Sequence, residues 1–171
     1  NASGWVLEAG SALSGNDNTD ADPEVLVAIG ELSTSIGAAD ITEVEMVTTT
    51  ADKSEGFTIS VRVRYNEPVD VVTTGGTPTL AVTNGNEGTG TGRGPHTLSY
   101  ASGTGTNELI FSLAIAAANA ATNADDVLSV GAQTIALNSG TIKDASGTAS
   151  DAALVISGAV GTAAGSVTVT A

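Results

Sequence analysis

Phe57-Thr58-Ile59-Ser60-Val61-Arg62-Val63-Arg64-Tyr65 alternates apolar and polar residues at every step. A period of two is what a strand with one buried and one wet face requires, because successive side chains leave a pleated backbone on opposite sides. Phe57, Ile59, Val61, Val63 and Tyr65 are expected to face a core, with Thr58, Ser60, Arg62 and Arg64 on the other side. The chain has only five aromatic residues, and two of them fall here. A third, Phe111, lies in Leu109-Ile110-Phe111-Ser112-Leu113-Ala114-Ile115, where Leu109, Phe111, Leu113 and Ile115 share a face. That segment is the natural partner of the first, and the pair is predicted to form the centre of a sandwich.

Asp40 to Thr48 alternates in the same way and is expected to be the first strand of the main body, reached from Phe57 through a turn at Ala51 to Gly56. Asn66-Glu67-Pro68 should break the central strand, with Val69 to Val72 resuming it. Gly75-Gly76-Thr77-Pro78 reads as a turn ahead of Thr79 to Thr83. Asn84 to Pro95 holds five glycines in twelve residues, too permissive a backbone to keep one shape unaided. Ala116 to Asp126 suggests a helical turn or a compact loop. Val127 to Val130, Thr134 to Leu137, Thr141-Ile142, Ala153 to Ser157 and Val167 to Thr170 complete a series of short strands. Turn signals recurring about every 8–12 residues are the pattern of an all-β sandwich.

Composition narrows the function classes. A chain of 171 residues can bury a core without covalent staples, and with no cysteine it has no disulfides or thiolate metal sites. Five Lys and Arg against 19 Asp and Glu give a net charge of −14. Such a surface repels nucleic-acid backbones and anionic membranes, whose binding depends on basic patches. No apolar run reaches the roughly 18 residues that a helical membrane span needs.

Residues 1–40 read as an N-terminal arm or docking segment, ahead of the sandwich at 41–171. Two short apolar strands, Trp5 to Ala9 and Val25 to Ile29, flank a polar loop. Trp5, the only tryptophan, either folds back as a plug on the sandwich or anchors the chain on a neighbouring subunit. In the loop, Asp17, Asp20, Asp22 and Glu24 place four carboxylates within eight residues. Oxygen ligands on a bendable loop suit Ca²⁺, although the spacing is not that of the helix–loop–helix calcium motif and lacks its turn glycine. The plainer account is a solvated acidic loop, and no other cofactor is expected. Arg62 and Arg64 either pair across strands with Glu43 or Glu45, or reach another copy or a host shell. His96, the single histidine, has no second His or Cys with which to build a metal site or dyad. Asp144 is expected to cap a turn. No catalytic constellation emerges.

Several motifs occur together in order. These are Tyr65-Asn66-Glu67-Pro68-Val69-Asp70-Val71, Gly76-Thr77-Pro78-Thr79-Leu80, Tyr100-Ala101-Ser102-Gly103-Thr104-Gly105-Thr106-Asn107-Glu108-Leu109-Ile110-Phe111, and Gly140-Thr141-Ile142-Lys143-Asp144-Ala145-Ser146-Gly147. From about Ile41 to Ile156 they resemble the Ig-like repeats of large bacterial surface proteins, of the cyanobacterial swimming-motility and RTX-adhesin kind. The resemblance implies an Ig-like Greek-key β-sandwich without enzymatic activity. Tyr65, Ser139 and Gly147-Thr148 depart from the usual residues, and the Gly-rich insertion is longer; these changes touch turns and loops. Such repeats normally come in tandem, whereas one copy stands here, as in accessory domains of phage virions. The expected role is therefore a multi-copy virion surface protein, a capsid decoration or tail accessory, whose partner is itself or a shell protein. The alternative is a module of a secreted adhesin or surface layer, outside the cell and stiffened by Ca²⁺.

Overall fold

The computed structural model describes residues 3–7, 24–29, 38–86, 95–119, 121–145 and 150–171. The chain divides into two compact units, Asn1–Ile36 and Gly37–Ala171. In the first, β1 (Ser3–Leu7) and β2 (Glu24–Ile29) form an antiparallel two-stranded ladder, with Trp5 opposite Val27 and a register shift between Trp5 and Val6.

The described residues of the second unit form β-strands and one short helix. Its strands are β3 (Ile41–Met46), β4 (Ala51–Asp52), β5 (Phe57–Val72), β6 (Thr79–Asn86), β7 (His96–Ser102), β8 (Thr106–Ile115), β9 (Asp126–Ser129), β10 (Gln133–Thr134), β11 (Thr141–Asp144), β12 (Val155–Ile156) and β13 (Ser166–Thr170). A curled mixed sheet runs β11-β5-β8-β7-β6-β9-β13-β4, with β3 also on β5, while β10 and β12 make a separate small ladder.

β5 is the hub. Its first half pairs with β3 on one side and β8 on the other, placing Val61 opposite both Met46 and Phe111. Its last residues, Val69 to Val72, pair with β11. The expected break at Asn66-Glu67-Pro68 does not occur. The strand continues, and its inward alternation carries on through Tyr65, Glu67 and Val69. What changes is the register with β8, which shifts between Arg64 and Val69. Pro68 sits inside that shift, where a residue without an N–H costs no ladder bond.

Two strands turn corners. After β3 the chain leaves β5, and the Thr48 hydroxyl replaces the missing ladder. Its Oγ1 accepts from Ser60 N at 2.7 Å and donates to Thr58 O at 2.9 Å. The chain then joins β13 as the parallel strand β4. In the turn that follows, Asp52 Oδ1 accepts from Ser54 N and Oγ at 2.8 and 2.7 Å, and Gly56 takes φ +80°. β6 bends likewise: Thr79 to Val82 pair with β7, and Thr83 to Asn86 with β9.

The curl encloses one core that includes Val44, Ile59, Val61, Val63, Tyr65, Leu98, Leu109, Phe111, Leu128 and Val169. Tyr100 meets Phe111 edge-on, with ring centroids 6.1 Å apart. The Tyr65 hydroxyl donates to Ala153 O at 3.0 Å, and burial pushes its phenol pKa well up. The terminal strand β13 is interior to the sheet, between β9 and β4. No local pattern announced α1 (Gly158–Ala163), whose Gly-Ala-Val-Gly-Thr-Ala run is rich in poor helix formers. It begins on Ser157, whose Oγ accepts from Val160 N, and ends where Ala164 O accepts from Met46 N at 2.8 Å.

Candidate interaction surface and buried polar corner

The outward face of β3, β5 and β8 carries five charges because the registers align them: Glu43 and Glu108 flank Arg64, and Glu45 lies opposite Arg62. Arg64 Nη1 meets Glu43 Oε2 at 2.6 Å, while Nη2 and Nε hold Glu108 Oε1 at 2.6 and 3.0 Å. Arg62 bonds Glu45 and reaches Glu108 Oε2 at 3.6 Å. The hydrogen bond from Arg64 holds the Glu108 carboxyl below the usual carboxylate range, helped by the charge of Arg62. Glu108 in turn raises the Arg64 guanidinium, with Glu43 adding to it. These side chains are 30–48 % exposed, so water screens most of the attraction.

Both arginines are thus engaged by carboxylates of their own sheet. Glu43 and Glu45 were foreseeable partners. Glu108, which both arginines share, sits 44 residues from Arg64, and only the β5–β8 register could have revealed it. Trp5 lies in β1 opposite Val27 and Glu24 opens β2 opposite Leu7; Asp17, Asp20 and Asp22 lie outside the described residues. Among the described residues, no group of three or more His, Asp or Glu could hold a metal ion.

Among the described residues, six polar or charged side chains are buried: Glu67, Asn84, His96, Thr122, Asp126 and Asp144. Asp144 is the last residue of strand β11, opposite Val69; residues 146–149, of the turn it was expected to cap, lie outside the described residues. Four of the others gather where β6 changes partners. Val82 pairs with His96 at the end of the β6–β7 ladder, and Asn86 pairs with Asp126 at the start of β9. His96 is 6 % exposed, and its Nε2 lies 3.0 Å from Thr122 Oγ1. Asn84 Nδ2 donates to Ala121 O, leaving Oδ1 buried without a hydrogen-bond partner. Asp126 Oδ2 accepts from Asn123 N at 2.7 Å. Burial lowers the His96 pKa, and the charge of Asp126 works against that shift. The sequence pointed to His96 only as a lone histidine beside a Gly-rich loop. Its hydrogen-bond partner Thr122 lies 26 residues further on, so no local spacing announced it.

Comparison with known proteins adds no relative. No family model, no curated protein and no solved structure matches this chain.

Proposed function

We propose that the chain is a non-enzymatic structural and interaction protein, built as an Ig-like Greek-key β-sandwich and carried in many copies on the surface of a phage virion. The pairing order favours the Ig-like reading. In that reading β3-β5-β8-β7 and β6-β9-β13-β4 of the curled sheet would be the two layers, with the first strand split between them as β3 and β4. β10, β11 and β12 then count as additions between the last two strands of the pattern. The ordered motifs from Ile41 to Ile156 point to the same architecture.

The observation that carries the interaction role is the first unit. A lone two-stranded ladder is marginal in water, and among the described residues β1 and β2 pair only with each other. β1 is the uncharged run Ser3-Gly4-Trp5-Val6-Leu7 in a chain of net charge −14. An uncharged strand in a two-stranded ladder is the part of such a molecule that meets least repulsion from a second copy or a shell protein. The non-enzymatic part of the proposal is supported by where the reactive side chains go. The one imidazole is turned into the fold, and Arg62 and Arg64 are occupied by carboxylates.

Quantitative mass spectrometry on particles purified from the source tests the assignment. The chain should travel with the shell proteins at a fixed ratio of many copies per particle. Recovery in the cell-envelope fraction instead would overturn the virion role and favour the adhesin alternative.

A further inference from the structure

We propose that the corner where β6 changes partners is a proton-sensitive latch, in which neutral His96 holds the β8–β9 crossover against β6 and β7 and protonated His96 releases it. The inference does not depend on where the protein is carried. The crossover links β8 to β9, with β7 and β6 between them in the curled sheet, and polar side chains from different elements fasten it. His96 of β7 grips Thr122, Asn84 of β6 donates to Ala121 O, and Asp126 of β9 receives Asn123 N. Lys53, from the turn after β4, donates to Asn119 O further along. Thr122 is fully buried and Asn84 and His96 are each 6 % exposed, so the grip is made away from water.

An imidazolium in that position has to be desolvated, and cations are strongly disfavoured in buried sites. Its Nε2 then carries a proton, so the contact with Thr122 Oγ1 survives only with the ring as donor. Among the described residues, the charged groups around the corner are Asp126, from β9, which draws a proton toward His96; Lys53, whose ammonium lies on the crossover at Asn119; and the exposed Asp125, held at φ +69° with its N–H on Val169 O. Asn84 and Thr122 carry no charge. Burial outweighs the pull of Asp126, so the closed corner binds a proton less readily than the open one. The direction follows. Closure is fully favoured above the ordinary imidazole value of 6.5 and is lost as pH falls through it, until the closed state takes the proton as well. One proton limits the effect to about tenfold in the opening constant per pH unit.

Because the chain has a single histidine, NMR titration of the full chain yields one imidazole curve without assignment. Its midpoint is expected below 6.5, and a midpoint at or above that value overturns the proposal. Hydrogen exchange of the amides of residues 121–126, corrected for intrinsic rates, should accelerate by up to about tenfold per pH unit below neutrality. The variant His96→Gln keeps a side chain that can reach Thr122 but does not titrate, so its exchange should be flat between about pH 5.5 and 7.5. The same acceleration in His96→Gln would assign the opening to another group and sink the latch. Should that variant fail to fold, the wild-type titration decides by itself.

Discussion

Replacing Thr48 by Val tests whether a side chain holds the point where the chain passes from β3 to β4. Valine keeps the shape and the strand preference but removes the hydroxyl that accepts from Ser60 N at 2.7 Å and donates to Thr58 O at 2.9 Å. Each such bond contributes about 0.5–1.5 kcal/mol net, and a polar group left unpaired adds its own desolvation cost. Thr48 and Ser60 are half-buried, so water replaces the lost partners only in part. The expected loss is about 1.5–3 kcal/mol. For a body of this size that lowers Tm by about 5–10 °C. Urea denaturation followed by circular dichroism measures it, with an unchanged slope showing that the native state is otherwise intact. Thr48→Ser keeps the hydroxyl and should recover most of the stability. A Val variant within about 0.3 kcal/mol of wild type, or a Ser variant as weak as Val, would refute the role given to this hydroxyl.

Other expectations follow from the hub strand and its neighbours. Phe111→Ala removes a fully buried ring opposite Val61 and beside Tyr100, and should cost about 3–5 kcal/mol in the same denaturation assay. Gly103 holds φ +115°, and a Cβ there would stand 2.0 Å from Glu108 O. Gly103→Ala should therefore destabilise by about 2 kcal/mol or more, well above the effect of an ordinary surface substitution. The Glu108 carboxyl is held below its ordinary value of 4.5 by Arg64. That contribution is present above pH 4.5 and is lost as pH falls through the lowered native value. Melting curves from pH 6 downward should show a shallower acid loss in Glu108→Gln than in wild type; identical slopes would remove Glu108 from the account.

The centre of the fold was legible because its signal is local. Alternation through Phe57 to Tyr65 needed no partner to be read, and the matching face of Leu109 to Ile115 identified β8 as its neighbour. The passage of β5 through Glu67-Pro68 was not legible. A proline and a buried carboxylate look like a strand end, unless one knows that the ladder to β8 has already shifted register there. The corners at Thr48 and Val82–Thr83 were hidden for a related reason. A strand that exchanges partners keeps its own alternation, so nothing in its residues marks the change. For the charged face, the sequence offered Arg62 and Arg64 with Glu43 and Glu45 but not Glu108, whose place is set by long-range pairing. The polar corner was the least visible feature. Asn84, His96, Thr122 and Asp126 are each unremarkable in their own segment and meet only when β6, β7, β9 and the crossover converge.

We propose a self-sufficient β body organised around β5, with the first unit as its means of docking. The most direct measurement is on a chain beginning at Gly37, which retains Ala39, a core residue whose carbonyl accepts from Ala153 N. The shortened chain should show a strand-dominated circular dichroism spectrum and a single cooperative melt close to that of the full chain, while losing self-association and co-sedimentation with the particle. A shortened chain that is unfolded, or one that still assembles as the full chain does, would contradict the account.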